Sequence, residues 1–423
     1  MDIFEIDGPV KLSGTIEVAG AKNAALPIMA AALLAPGETV IPNAPNLADI
    51  RSFETLLASL GAAVGRDRTG RLHIDATTID TPVGEYDIVR KMRASICILG
   101  PLLARCGKVK VSMPGGCAIG DRPVDIHLRG LKALGARIYL ENGYIVAEAP
   151  PGGLVGAQIF LGGPFGSTVL GTDNVMMAAT LAKGTTVIES AACEPEVADL
   201  AHYLNAMGAK IRGIGSPRLV IEGVTELKPV TRPVIGDRIE AGTFMVAAAI
   251  TQSRLHIRNC DLDNMVAVAD RLRSIGAVVE PADDGCNVVM SGAIGPADIT
   301  TQPYPGFPTD LQAQFMALLA LADGNSVITE KIYPDRFMHV AEMNRMAANL
   351  RKEGPNVIVA GVEKLIAAPV MASDLRASAA LVLAGLAAHG TTVVQRVYHI
   401  DRGYENIEEK LNGVGAAIRR IDV

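Results

Sequence analysis

A pattern that returns six times limits what this chain can fold into more than any single motif does. An Ala/Leu-rich run, a small turn residue and a short β-branched stretch recur as L-L-A-P-G-E-T-V-I at 33–41, L-L-A-R-C-G-K-V-K-V at 102–111, T-L-A-K-G-T-T-V-I at 180–188, A-L-A-D-G-N-S-V-I at 320–328 and L-A-A-H-G-T-T-V-V at 386–394. A weaker copy, A-A-I-T-Q-S-R-L-H-I, lies at 248–257. The turn positions fall at 37, 107, 184, 253, 324 and 390, so six units of about 70 residues fill the 423-residue chain. That period is longer than those of the common solenoid repeats.

A second pattern sits between these copies at a fixed phase. It is a polar helical run that ends in glycine and leads into another strand: S-L-G-A-A-V at 59–64, A-L-G-A-R-I at 133–138, A-M-G-A-K-I at 206–211, S-I-G-A-V-V at 274–279 and G-V-G-A-A-I at 413–418. The fifth copy reads as K-E-G-P-N-V-I-V at 352–359. Apolar residues at helical spacing over 49–60 and 263–275, each followed by glycine, predict helices that stop there. Each unit is then helix, strand, helix and one or two strands. The first helix of each unit is apolar nearly all round, which requires burial on every side by enclosing sheets. L-K-P-V-T-R-P-V at 227–234 marks the boundary midway, giving two domains of three units. If the N-terminal strands complete the last unit, one domain is 1–20 with 230–423 and the other 21–229. Two crossings between them predict a hinge and a cleft.

Composition removes several functions. A net charge of −6, no Trp, 8 Tyr and 8 Phe do not suit a basic, aromatic nucleic-acid platform. The N-terminus, M-D-I-F-E-I-D-G, has acids where a leader needs positive charge, and no apolar run reaches about 18–20 residues, so a soluble, cytoplasmic protein with no membrane partner is expected. Cysteines at 97, 106, 117, 193, 260 and 286 form no C-x-x-C pair and have no histidine at ligand spacing, so neither metal nor cofactor is expected. Cys97, Cys106 and Cys260 lie in apolar runs and read as small buried hydrophobes. There is no Walker loop, dinucleotide fingerprint, H-E-x-x-H or serine elbow.

Polar residues at the starts of the apolar helices are therefore informative. Four units carry them: Lys22 and Asn23; Arg90, Lys91 and Arg93; Thr309 and Asp310; Ser373, Asp374 and Arg376. Acids there can be ordinary caps, whereas Lys and Arg oppose the helix dipole and point to a bound anion. P-G-G-C-A-I-G-D-R-P-V-D at 114–125 places Cys117 in a glycine-rich loop with Arg122 five residues on, where a guanidinium lowers a thiol's pKa. His127 is either a structural residue or a partner of that loop. Together these features suit group transfer on a phosphorylated or carboxylated small molecule.

Six strings in order, A-G-A-K-N-A-A-L-P at 19–27, the 114–125 loop, F-P-T-D-L-Q-A-Q-F at 307–315, R-F-M-H-V at 336–340, V-M-A-S-D-L-R-A-S at 370–378 and Y-H-I-D-R-G-Y-E at 398–405, closely resemble the UDP-N-acetylglucosamine enolpyruvyl transferases of the EPSP synthase superfamily. The resemblance runs end to end. It implies an α/β fold, the inside-out α/β barrel with two domains of three helix-and-sheet units. It also implies transfer of the enolpyruvyl group of phosphoenolpyruvate to the 3'-hydroxyl of UDP-N-acetylglucosamine, the first committed step of peptidoglycan synthesis. Carried over by position, Cys117 is the proton donor and the target of fosfomycin. Lys22, Arg122 and Arg402 grip phosphoenolpyruvate, Asn23 touches the sugar, Asp310 is the candidate base, and Asp374 is a second essential carboxylate. Arg93, the run Arg122, Pro123, Val124, Asp125 and Ile126, and Ile332 contact the UDP-sugar, while Arg336 and Arg376 engage on closure. Ser167, Thr168, Val169 and Leu170 cover part of the nucleotide site, and some relatives carry lysine where this chain has Ser167. The related shikimate family lacks a cysteine in a comparable loop.

Overall fold

The computed structural model describes residues 2–113, 124–164 and 166–422. Among these residues the strands form six sheets, five of four strands and one of three. Five share one design. Thr185–Glu189 runs parallel to the short Gln158–Phe160 and antiparallel to Arg218–Glu222, which in turn pairs with Lys210–Arg212. The sheets built on Lys108–Ser112, Arg254–Arg258, Asn325–Thr329 and Gly390–Gln395 repeat that order. The sheet on Glu38–Ile41 lacks the parallel edge strand, and a single parallel bridge between Val40 and Thr231 stands in its place.

The chain forms two compact units and passes between them at Ala19–Gly20 and at Ile235–Gly236. One holds 2–19 and 236–422, the other 20–113 and 124–235. The N-terminal strands complete the first unit: Ser13–Glu17 is the parallel edge beside Arg254–Arg258, and Ile3–Gly8 lies between Gly390–Gln395 and Ile418–Ile421. Each unit has its own apolar core, one around Phe244, Phe315 and Leu381, the other around Ile28, Leu102 and Met176.

Three apolar helices run through each core: Arg238–Ile250, Gln312–Leu319 and Leu375–Ala387 in the first unit, Lys22–Ala31, Leu99–Cys106 and Val169–Ala179 in the second. Their sequences allow this because they bury small residues on the sides where backbones meet. A Cβ on Gly100 would lie 2.2 Å from the Asn174 carbonyl oxygen, so the crossing of those two helices requires glycine. The second helix of each repeat is amphipathic; Ala48–Ser59, for example, buries Ile50, Phe53, Leu56 and Leu57. Among the described residues no helix is long and apolar enough to cross a membrane.

Two expectations are corrected. The glycines that stop the amphipathic helices, Gly61, Gly135, Gly208, Gly276 and Gly415, all have positive φ, and the fifth repeat uses Ala347 at φ 64°. The fifth copy is thus R-M-A-A-N-L-R at 345–351, while K-E-G-P-N forms the hairpin between Asn349–Glu353 and Asn356–Ala360. A search keyed to glycine misses an alanine held left-handed by its surroundings. Cys106 is also exposed rather than buried, because it is the last residue of Leu99–Cys106, beyond the buried Leu103.

Candidate functional site

In the first unit Asp310, Asp374 and Arg376, singled out from the sequence, lie at the N-terminal ends of two of the three buried helices. Asp310 lies in the 3₁₀ turn Thr309–Leu311 that opens Gln312–Leu319. Its Oδ1 accepts from Arg336 Nη1 at 2.7 Å and its Oδ2 from Arg376 Nη2 at 3.1 Å. Both arginines are buried. Burial opposes the Arg336 charge, but the carboxylates of Asp310 and Asp374 outweigh it and hold the guanidinium more firmly protonated than usual. Burial likewise opposes the Arg376 charge, and Tyr404, Asp310 and Asp237 reverse the effect. Arg376 stacks over the Tyr404 ring, 5.4 Å from its centroid. Its Nη1 is buried with no hydrogen-bond acceptor among the described residues.

Asp374 behaves differently. It is the N-cap of Leu375–Ala387, and its Oδ1 accepts from the backbone N–H of Arg376 at 2.8 Å and of Ala377 at 3.1 Å. Asp237 caps Arg238–Ile250 in the same way, accepting from Ile239 and Glu240. Arg402 ends the 3₁₀ turn Val397–Arg402, half-buried, and adds to the burial that lowers the pKa of His399. Two residues on, the Tyr404 hydroxyl lies 2.9 Å from Thr243 Oγ1 and accepts from Gln314 Nε2 at 3.2 Å, which links Arg238–Ile250 to Gln312–Leu319. Ile332 is on the segment after Asn325–Thr329, and its N–H donates to Glu330 Oε1 at 2.8 Å.

The second unit carries cations at the corresponding places. Lys22, the first residue of Lys22–Ala31, is buried, and its Nζ reaches Asp49 Oδ2 at 3.1 Å. Asn23 is half-buried beside it. Arg93 opens the 3₁₀ segment Arg93–Ile98 ahead of Leu99–Cys106. Thr168 caps Val169–Ala179 through Oγ1 to the Gly171 N–H at 3.2 Å, and Ser167, Thr168, Val169 and Leu170 are all half-buried. Val124 is buried, Ile126 half-buried and Asp125 exposed at the start of Asp125–Ala133. His127 is buried: burial, then Arg93, push it down to about 3, and its Nδ1 accepts from Asn174 Nδ2 at 3.0 Å, a structural role, while most of the 114–125 loop lies outside the described residues. Cys117, Arg122 and Pro123 lie outside the described residues.

Several participants were not singled out from the sequence. Asp49, Asp237, Gln314, Tyr404, Thr309 as a hydrogen-bonding group, and Glu330 all hold residues that were. Asp237 had a readable signal, an acid before an apolar run with Glu240 three residues into it. Glu330 had none, because it follows a strand and its partners come from other segments. A pocket in this unit, lined by residues such as Arg238, Met265, Tyr304 and Leu311, includes neither Asp310 nor its arginines. Chemistry is better located by the ion-paired carboxylate than by that pocket.

Comparison with known proteins gives the family of the chain. The family model described as EPSP synthase (3-phosphoshikimate 1-carboxyvinyltransferase) matches residues 6–411. A protein from Methylacidiphilum infernorum named UDP-N-acetylglucosamine 1-carboxyvinyltransferase is 54% identical over 421 residues, covering 100% of this chain and 99% of its own. One of the same name from Desulfosudis oleivorans is 52% identical over 421 residues, with full coverage of both. The enolpyruvyl transferase NikO from Streptomyces tendae superposes with a TM-score of 0.89 at 24% identity, over 100% of this chain and 99% of that one. EPSP synthase from Acinetobacter baumannii superposes at 0.77 and 18% identity over the whole of both chains. These two likenesses show the fold, and the sequence matches show more: the chain belongs to the EPSP synthase family and is an enolpyruvyl transferase.

Proposed function

We propose that this protein transfers the enolpyruvyl group of phosphoenolpyruvate to the 3'-hydroxyl of UDP-N-acetylglucosamine, with release of phosphate, as the first committed step of peptidoglycan synthesis in the cytoplasm. The two compact units are then its two domains, with the expected boundaries near residues 20 and 230. The observation that carries this reading is the Asp310 carboxylate held between the buried guanidiniums of Arg336 and Arg376. A transferase of this kind needs a base at the sugar hydroxyl and cations on a phosphate and a carboxylate. The names of relatives more than 50% identical along the whole chain supply the acceptor.

In the reaction, Asp310 takes the proton of the 3'-hydroxyl as its oxygen bonds to C2 of phosphoenolpyruvate, and Cys117 protonates C3. The tetrahedral ketal then loses a proton from C3 and expels phosphate. Lys22, Arg122 and Arg402 bind phosphoenolpyruvate; Asn23 and Arg93, the 122–126 run, residues 167–170 and Ile332 bind the UDP-sugar. The guanidiniums on Asp310 are the donors an incoming phosphate or carboxylate would also use, so anion binding and release of the base become one exchange. Asp374 assists proton transfer through the oxygen not used in its cap.

Purified protein is mixed with phosphoenolpyruvate and either UDP-N-acetylglucosamine or shikimate 3-phosphate, and phosphate release is followed. Release only with UDP-N-acetylglucosamine, and a product heavier by one enolpyruvyl group, is expected. Release only with shikimate 3-phosphate overturns the acceptor and keeps the reaction type.

A further inference from the structure

Glu330 is fully buried, yet both of its carboxylate oxygens are in use. Oε1 accepts from the N–H groups of Ile332 at 2.8 Å and Tyr333 at 2.9 Å and from Thr301 Oγ1 at 2.7 Å. Oε2 accepts from Thr309 Oγ1 at 2.8 Å. The directions of these bonds are fixed. Thr309 Oγ1 itself accepts from Arg336 Nη1 at 3.1 Å, so its single hydrogen must point at Glu330. Thr301 Oγ1 accepts from the Lys331 N–H at 2.9 Å, so its hydrogen is committed to Glu330 too.

One carboxylate thereby sets two things. Its Oε1 side turns the chain at 331–333 and places Ile332. Its Oε2 side orients the Thr309 hydroxyl as an acceptor for the Arg336 nitrogen that also holds Asp310 at 2.7 Å. We propose that Glu330 is a positioning residue of the transfer reaction, aligning Arg336 with Asp310 through the Thr309 hydroxyl while anchoring the segment that carries Ile332. This rests on the reading that Asp310 and Arg336 serve that reaction.

Glu330→Gln separates the two sides. An amide oxygen in place of Oε1 keeps the three donors that turn the chain. The amide nitrogen then faces Thr309 Oγ1, which would have to accept from both it and Arg336 while its own hydrogen loses its acceptor. The opposite amide orientation sets donors against two backbone N–H groups and is worse. E330Q is therefore expected to fold, to keep its KM for UDP-N-acetylglucosamine within about twofold, and to lose about tenfold or more in kcat, the scale of one charge-assisted hydrogen bond. Thr309→Val, which deletes the relaying hydroxyl, is expected to lose kcat to a similar degree. Because both act through one path, the double variant is expected to be no worse than the weaker single one. Wild-type kcat in E330Q, or single losses that multiply in the double variant, overturns the proposal. If the unaltered protein does not turn over phosphoenolpyruvate, the functional reading fails, and a crystal structure of E330Q still decides about Glu330. Loss of the Arg336 Nη1 to Asp310 Oδ1 contact supports the alignment; its persistence overturns it.

Discussion

The two units repeat one architecture but place opposite charges at the N-terminal ends of their buried helices. In the first unit those ends carry Asp237, Asp310 and Asp374; in the second they carry Lys22, Arg93 and the neutral cap Thr168. The helix dipole favours the acids and disfavours the cations. The dipole therefore gives no reason for this charge at the second unit's helix ends; Lys22 pairs with Asp49, and anion binding is the function proposed for these cations. Within the first unit a finer contrast appears. Asp374 and Asp237 use their carboxylates on their own helices, whereas Asp310 faces two guanidiniums from other segments. Equivalent positions in a repeat hold the same residue type and do different work.

The contrast at Asp310 is the easiest to break. Asp310→Asn is expected to lower kcat by about 10²–10⁴-fold, the range for a general base, with a far smaller change in the KM for UDP-N-acetylglucosamine. Equal losses in steady-state kinetics would make Asp310 a binding residue. Lys22→Met tests the other unit: the KM for phosphoenolpyruvate is expected to rise about 10-fold or more, because one charge-assisted donor is lost. An unchanged KM would leave Lys22 only the partner of Asp49. Asp374→Asn sharpens the comparison between the acids. Asparagine caps as well as aspartate, so stability should stay within about 0.5 kcal/mol while kcat falls about tenfold. Unchanged kcat would make Asp374 a cap and nothing more.

The smallest effect is on acid stability. His127 is held down to about 3 and His339 to about 4, burial being the main cause for both, with nearby Asp374 partly opposing it at His339. A histidine whose folded pKa is depressed binds its proton first in the unfolded chain. Its contribution is therefore fully present above the unfolded pKa of about 6.5 and is lost as pH falls from there towards the folded value, by at most about 1.4 kcal/mol per pH unit. His127→Gln and His339→Gln, measured by urea unfolding between pH 7 and pH 4, are each expected to flatten that decline. An unchanged slope in either variant would remove the part given to that histidine's burial.

The six-fold repeat, the buried helices and the strand after each one were legible because they rest on local periodicity and turn chemistry. The fifth copy was not, because Ala347 takes a left-handed conformation that its residue type does not announce. Among site residues, Lys22, Arg93, Asp310, Asp374 and Arg376 stood out as polar residues opening apolar helices. His127 did not declare its role, since its partner Asn174 lies 47 residues away. Glu330 was silent for the same reason, being joined to Thr301 across 29 residues and to Thr309 across 21.

The order of residues by itself determined the fold class, the repeat count and the set of charged groups available for chemistry, since each follows from spacing within a few turns of chain. Tertiary structure alone decided which acid caps a helix and which meets two arginines, and which buried carboxylate aligns them. A side chain's partners are set by segments that packing brings together, and one more hydrogen bond to its own helix or to a distant guanidinium separates a cap from a reactive group.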